Sequence, residues 1–151
     1  MSEKKVTKIA IGADHGGVNL KAKIVDMLTS RGYDIRDFGT FSAESVDYPD
    51  IAKAVCYVVS NGSYERGILV CGTGIGMSMT ANKIKNIRAA VCDNPYEAKM
   101  TRAHNDANVL CMGERVIGMG VAYDVLEAFL MTDFEGGRHA RRVEKINELD
   151  K

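Results

Sequence analysis

An apolar run that ends in a cysteine and opens into alternating glycines constrains the fold of this chain more than any other stretch. Residues 67–78 read GILVCGTGIGMS. A short apolar run bounded by glycine is typical of a buried strand, and Gly72, Gly74 and Gly76 allow close contact with a ligand or a positive φ. The helical pattern that follows places the loop at a helix N-terminus, which favours anions and makes a thiol more acidic than usual. The alternative to a ligand-binding loop is a tight strand-to-helix turn with a buried Cys71.

Strands and helices alternate regularly along the sequence. We predict strands at residues 6–11, 33–38, 66–71, 87–92 and 108–112, and helices at residues 18–30, 51–60, 75–84, 96–103, 119–131 and 138–149. This alternation indicates a parallel sheet that is covered by helices on both faces. A long polar connection over residues 39–50 carries Asp47, Tyr48 and Pro49, and loops of that length inside a compact domain tend to be functional.

The loops that follow the first and third strands are the expected walls of a ligand site. Parallel sheets of this kind bind ligands beyond the carboxyl ends of the strands, at the point where the strand order reverses. If the first strand lies beside the third, the loops at residues 13–17 and 71–76 share one crevice. We therefore expect Asp14, His15 and Cys71 to meet there.

Composition limits the classes of partner and compartment. The 151 residues suit one domain, 1–151, with residues 1–5 expected to be disordered. Lys and Arg together number 20, as do Asp and Glu, so no basic excess marks a nucleic-acid or membrane-surface binder. Four widely spaced cysteines indicate reduced thiols, and no membrane-spanning run or signal peptide is apparent. We expect a cytoplasmic protein whose partner is a small molecule or a protein.

The glycine loop departs from the named phosphate-binding motifs. Met77 stands where a dinucleotide-binding GxGxxG loop needs its third glycine, although Asp93 lies at a plausible distance for a ribose contact. The GK[ST] sequence of a P-loop is missing, and residues 71–77 contain no arginine to close a cysteine-phosphatase loop. These features weaken a dinucleotide site and exclude the other two classes.

Three further polar groups are candidates for chemistry. Arg138 and Arg142 share a helix face beside His139 and suit a phosphate dianion, or else form a solvated basic face. Asp14 and His15 are suited to act on a hydroxyl group of a ligand, or else they form an Asx-type turn and a helix cap. The third group comprises His104, Asn105 and Asp106. Such a group is more typical of a helix end with local hydrogen bonds than of a catalytic site.

Six motifs occur in an order that is typical of one enzyme family. They are ADHGG, DYPD, GILVCGTGIGMSMTANK, RAAVC, HNDANVL and EGGRHARRV, within residues 8–146. The chain therefore resembles the ribose/galactose isomerase family, which includes ribose-5-phosphate isomerase B and the galactose-6-phosphate isomerase subunits. The resemblance implies a three-layer, Rossmann-like α/β/α sandwich with a five-stranded parallel sheet and an extra C-terminal helix. It also implies a homodimer or homotetramer whose active sites are shared between subunits.

The resemblance further implies roles for individual residues. Cys71 resembles the base that moves a proton between C1 and C2, since the other branch of the family has a glutamate at the position of Met77 and a glycine in place of Cys71. His104 resembles the residue that opens the furanose ring, with Asp14 moving protons between sugar oxygens. The hole for the ene-diolate oxygen resembles the loop of Gly72, Thr73, Gly74 and Gly76. The phosphate-binding positions match His15, Arg115, Arg138 and Arg142, and the substrate-lining positions match Tyr48, Asn105 and His139.

The expected reaction is the interconversion of ribose 5-phosphate and ribulose 5-phosphate through an ene-diolate, without a metal or a redox cofactor. Proton removal beside a carbonyl needs a base and fixed donors for the developing enolate, which Cys71 and the glycine loop can supply. A six-carbon substrate, allose 6-phosphate or galactose 6-phosphate, fits the same motifs. The same crevice also suits a nucleotide-binding regulatory module, or a thiol hydrolase that uses Cys71.

Overall fold

Five parallel strands form a single sheet. They are β1 (Lys8–Ala13), β2 (Asp34–Asp37), β3 (Arg66–Cys71), β4 (Ala89–Val91) and β5 (Val109–Gly113), in the order β2-β1-β3-β5-β4. The structure is a computed structural model that describes residues 6–150, so the disorder predicted for residues 1–5 lies outside the described residues. Because every strand pair is parallel, all five carboxyl ends lie at one edge of the sheet.

Six helices accompany the sheet. They are α1 (Val18–Ser30), α2 (Tyr48–Ser60), α3 (Ile75–Ala81), α4 (Pro95–Asn105), α5 (Met119–Met131) and α6 (Arg138–Asn147). Side chains of α1, α4 and α5 form the core on one face, and those of α2 and α3 form the core on the other. The predicted α/β/α sandwich with an extra C-terminal helix is confirmed. Within residues 6–150, no helix is both long enough and apolar enough to cross a membrane.

The central strand β3 separates the two cores. Every residue from Gly67 to Cys71 is buried. Ile68 and Val70 belong to the core beneath α1, α4 and α5, whereas Leu69 and Cys71 belong to the core beneath α2 and α3. Because successive side chains of a strand point to opposite faces, this alternation fixes the face on which the Cys71 thiol lies.

The start of α2 differs from the prediction and changes the setting of one candidate residue. The helix begins at Tyr48, whereas the sequence predicts a polar connection as far as residue 50. Pro49 lies in the first helical turn, where its missing N–H leaves no intrahelical hydrogen bond unmade. Tyr48 is therefore held by a helix instead of a loop.

The edge strand β4 is shorter than predicted, and α3 ends before it at Ala81 instead of residue 84. The side-chain amide of Asn82 donates to the Ala89 carbonyl at 3.0 Å and accepts from the Ala89 N–H at 2.8 Å. This side chain occupies the Ala89 N–H and carbonyl, which the edge strand would otherwise offer to another chain. The remaining elements begin and end within two residues of their predicted bounds.

A buried ion pair joins α1 to β2. Lys21 Nζ lies 2.7 and 2.8 Å from the two carboxylate oxygens of Asp37, and the lysine side chain is only 2% exposed. The Phe41 ring covers the ammonium, with its centroid 4.2 Å from Nζ. A buried charge is tolerated only when it is paired, so this contact fixes the position of α1 against the sheet.

We predict that Asp37→Asn lowers the free energy of unfolding by about 3 kcal/mol, because the Lys21 ammonium stays buried without a counter-charge. Urea denaturation measures the change. The matched control is Asp34→Asn, an exposed position on the same strand, which should change that free energy by less than about 0.5 kcal/mol. Equal effects of the two substitutions would contradict the role of the ion pair.

Candidate active site

The loops after β1 and β3 line one crevice at the carboxyl edge of the sheet. The two strands are neighbours. The Asp14 N–H donates to the Val70 carbonyl at 3.2 Å, and a Cβ built on Gly16 would lie 3.1 Å from Gly72 N. The predicted juxtaposition of the two loops is confirmed. The crevice lies where the strand order reverses, which is the ligand-binding position of open parallel sheets.

Cys71 ends β3 inside this crevice. The residue is 6% exposed, so the thiol is shielded from bulk water but still borders the loop. Its Sγ accepts a hydrogen bond from the Gly74 N–H at 3.1 Å. This bond holds the sulfur against the start of the glycine loop and suits a sulfur that carries negative charge.

The other three cysteines lie in the core. All four thiols are free. Burial raises the pKa of Cys56 to about 12 and, with help from nearby carboxylates, the pKa of Cys92 to about 12. Burial also raises the pKa of Cys111 well above its ordinary value. These three thiols remain protonated at neutral pH and are unsuited to act as bases.

The backbone after Cys71 supplies a group of hydrogen-bond donors. The N–H groups of Gly72, Thr73 and Gly76 have no acceptor among residues 6–150. Gly74 has a φ of +83°, a left-handed conformation that glycine adopts readily. Fixed N–H groups near a reactive thiol can stabilise an oxyanion without reorganisation.

The end of β5 supports this loop from the neighbouring strand. The Glu114 N–H donates to the Cys71 carbonyl at 2.9 Å, and the Arg115 N–H donates to the Gly72 carbonyl at 3.1 Å. The Arg115 guanidinium also packs on Gly72, where a built Cβ would lie 3.1 Å from one of its nitrogens. Arg115 therefore lies at the crevice, as the resemblance implies.

Two residues near Arg115 were not found by sequence reasoning. A Cβ built on Gly113 would lie 2.6 Å from the Thr73 backbone, so only glycine allows the loop to lie this close. Glu114 Oε1 accepts a hydrogen bond from the Leu20 N–H at 2.6 Å and thereby anchors the first turn of α1. A glycine directly after the predicted strand at residues 108–112, followed by a carboxylate, was the available signal.

The remaining residues of the crevice come from β1 and α2. Asp14 is 7% exposed, and its Oδ1 accepts from the Gly16 N–H at 2.9 Å, which is the predicted Asx-type turn. His15 Nδ1 accepts from the Val46 N–H at 3.2 Å, so its Nε2 remains for another partner. Tyr48 is 39% exposed and lies against Gly76, where a built Cβ would be 3.0 Å from the phenol oxygen.

A second group of predicted site residues lies at the opposite edge of the sheet. His104 and Asn105 form the last turn of α4, which leads to the amino end of β5. Between Val109 and Gly113, β5 spans about 13 Å, and Gly113 is level with Cys71 in the neighbouring strand. In addition, α4 packs on the face away from the Cys71 side chain. One chain therefore does not bring Cys71 and His104 together.

The second group continues onto α6. The His139 ring stacks on the His104 ring, with centroids 4.1 Å apart and an angle of 10° between the planes. Burial lowers the pKa of His139, and the neighbouring His104 lowers it further, whereas Glu135 opposes both effects. Arg138 and Arg142 are exposed on α6, and their side chains have no hydrogen-bond or ion-pair partner within residues 6–150.

Both groups fall within a stretch that matches one known family. A model of the family described as Ribose/Galactose Isomerase matches residues 9–146. The chain is 48% identical to ribose-5-phosphate isomerase B of Escherichia coli (strain K12) over 143 residues, or 95% of this chain and 96% of that protein. It is 44% identical over 139 residues to D-erythrulose-4-phosphate isomerase of Pectobacterium atrosepticum, or 91% of each chain.

The three-dimensional comparison agrees with the sequence comparison. A solved structure of Clostridium thermocellum ribose-5-phosphate isomerase B is similar to this chain with a TM-score of 0.93 and 55% sequence identity. The similarity covers 95% of this chain and 97% of that one. The residues matched by the family model include the crevice, the last turn of α4 and most of α6. On these grounds the chain belongs to the ribose/galactose isomerase family.

Proposed function

We propose that this chain is an aldose–ketose isomerase that interconverts ribose 5-phosphate and ribulose 5-phosphate. The observation that carries the proposal is the position of the Cys71 sulfur beside the unpaired N–H groups of Gly72, Thr73 and Gly76. Relatives named for this reaction are similar over nearly the whole chain, which supports the same substrate class.

In the proposed reaction the Cys71 thiolate removes the proton from C2 of the open-chain aldose. The electrons of the C–H bond form the C1–C2 double bond, and O1 takes the negative charge of the ene-diolate. The loop N–H groups stabilise that oxygen, and one such donor contributes roughly a hundredfold in rate. Asp14 assists transfer of the O2 proton to O1, and return of the proton from Cys71 to C1 gives the ketose.

His104 opens the furanose ring before proton transfer. It donates a proton to the ring oxygen as the bond from that oxygen to C1 breaks, while Asp14 accepts the proton of the C1 hydroxyl. His104 is partly exposed at the end of α4, and Glu135 Oε1 lies 3.9 Å from its Nε2, beyond hydrogen-bond distance. Its position at the opposite edge supports a role on a substrate held by another chain.

Phosphate binding holds the reacting carbons in place. His15 at the crevice offers Nε2, and Arg115 beside Gly72 offers a forked guanidinium, which suits a phosphate dianion. Arg138 and Arg142 lie one turn apart on α6 and would approach the phosphate from the partner chain. Binding energy gained at the phosphate can then serve orientation at C1 and C2. The remaining walls are Tyr48, Asn105 and His139.

We infer a homodimer or homotetramer in which each active site combines the crevice of one chain with the His104 group of another. The separation of the two groups within one chain supports this arrangement. A symmetric pair places the amino edge of each chain against the carboxyl edge of its partner and completes two identical sites.

We further propose that residues 1–151 act as one domain in the cytoplasm and that the reaction uses neither a metal nor a redox cofactor. One continuous sheet joins elements from both halves of the chain, which supports a single domain. Four free cysteines suit a reducing compartment. Proton transfer between neighbouring carbons changes no net oxidation state, so the base and the N–H donors suffice.

We predict that the purified protein, with chelator in deuterated water, converts ribose 5-phosphate and incorporates deuterium at C2 of the aldose. NMR follows conversion of ribose 5-phosphate, allose 6-phosphate, galactose 6-phosphate and D-erythrulose 4-phosphate side by side. Cys71→Ala should abolish conversion and exchange, whereas Cys56→Ala, a core cysteine, should retain both. The proposal is wrong if no sugar phosphate reacts or if Cys71→Ala remains active.

We predict that Gly113→Ala reduces kcat/KM by about a hundredfold, because its Cβ displaces the Thr73 backbone and misaligns the loop by a fraction of an ångström or more. Steady-state kinetics measure the change, and circular dichroism verifies that the variant is folded. Gly118→Ala is the control, since its built Cβ meets no atom within 4 Å. A folded Gly113→Ala enzyme with full activity would show that the loop tolerates this displacement.

A further inference from the structure

Three potential metal ligands converge at the amino edge of the sheet. His104 lies on α4, His139 lies on α6, and Glu135 precedes α6. Glu135 Oε1 is 3.5 Å from His139 Nε2 and 3.9 Å from His104 Nε2. One ligand atom from each residue lies within 4.8 Å of the other two. Ligands around a tetrahedral ion at about 2.0–2.1 Å lie roughly 3.3 Å apart, so the two distances from Glu135 Oε1 are close to those between ligands of one ion.

We propose that His104, Glu135 and His139 bind a divalent transition-metal ion, with Zn²⁺ as the best match, and that the bound ion inhibits the enzyme by occupying His104. Two imidazoles and one carboxylate form a ligand set that zinc sites use when a fourth position is left open. Imidazole favours zinc, copper and nickel over calcium and magnesium, which prefer oxygen ligands.

The backbone around the cluster holds these side chains near one another. The Glu135 N–H donates to the Ala103 carbonyl at 3.0 Å, which keeps Glu135 next to the end of α4. Gly136 and Gly137 have φ values of +69° and +56°, and this turn brings the Glu135 and His139 side chains to the same side. The ligands therefore come from two segments that are already joined by hydrogen bonds.

The exposure of the cluster gives an ion both a path and a place for water. In the isolated chain the His139 side chain is 8% exposed, whereas the side chains of His104 and Glu135 are 38% and 57% exposed. Rotation of the His104 ring out of its parallel stack directs its nitrogen toward the same point as His139. Water can fill the fourth position. The positive charges of Arg138 and Arg142 nearby oppose cation binding, so we expect micromolar rather than tighter affinity.

Inhibition rests on the proposed function, because it requires that His104 take part in the reaction, but metal binding does not. The two are therefore measured separately. Isothermal titration with ZnCl₂ gives stoichiometry and affinity, and the visible spectrum with CoCl₂ reports the coordination geometry. Ribose 5-phosphate turnover is followed during titration with ZnCl₂ and after addition of EDTA.

The decisive variant is Glu135→Gln, because Glu135 is a ligand here but has no place in the proposed reaction. The matched control is Glu148→Gln, an exposed carboxylate next to the end of α6. We expect the unmodified protein to bind one Zn²⁺ per chain, to give a tetrahedral Co²⁺ spectrum, and to lose turnover reversibly. Glu135→Gln should keep its metal-free turnover and weaken Zn²⁺ binding by at least about tenfold, and Glu148→Gln should change neither.

Three outcomes would overturn the inference. Failure to bind Zn²⁺ stoichiometrically would overturn the site whether or not the chain is an isomerase. Unchanged Zn²⁺ affinity or inhibition in Glu135→Gln would place the ion on other ligands, for example on Cys71. Stoichiometric binding that leaves turnover of ribose 5-phosphate unchanged would overturn the inhibitory role. If no sugar phosphate reacts at all, the calorimetric and Co²⁺ measurements still decide whether the site exists.

Discussion

The contact between the backbone after Cys71 and the end of β5 is the interaction on which the candidate site depends. Gly113 lets the Thr73 backbone lie where a Cβ would be only 2.6 Å away, and Gly74 turns through a positive φ beside it. At both glycines the nearest atoms are main-chain atoms. A change of side-chain rotamer therefore could not relieve the clash that a larger residue would make. The thiol and the N–H donors are consequently fixed before substrate binds, as stabilisation of a developing charge requires.

Parallel topology then explains why the proposed site needs two chains. Residues at the ends of strands lie at the carboxyl edge of the sheet, and residues at the ends of the crossover helices lie at its amino edge. Cys71 belongs to the first class and His104 to the second, and they also lie on opposite faces of the sheet. The extra helix α6 stands beside α4 and adds Arg138 and Arg142 to the His104 group. Assembly is therefore part of the proposed chemistry.

Local periodicity predicts much of this fold, since α1, β3 and α5 begin and end at the predicted residues. It misses the start of α2, because Pro49 favours a loop in the sequence pattern although proline is tolerated in a first helical turn. The crevice follows from the expected strand order. Glu114 escapes sequence reasoning because it acts through a contact between segments distant in sequence, the bond from Leu20 to Glu114, 94 positions apart.

The measurement that tests the central claim most directly is subunit complementation between Cys71→Ala and His104→Ala. Each variant alone lacks one half of every site and should be inactive. If each site combines Cys71 of one chain with His104 of another, random pairing makes half of the dimers mixed, and each mixed dimer holds one intact site. Mixed and reassembled chains should then recover roughly a quarter of the unmodified activity. Mixed dimers that remain inactive would contradict a site shared between chains.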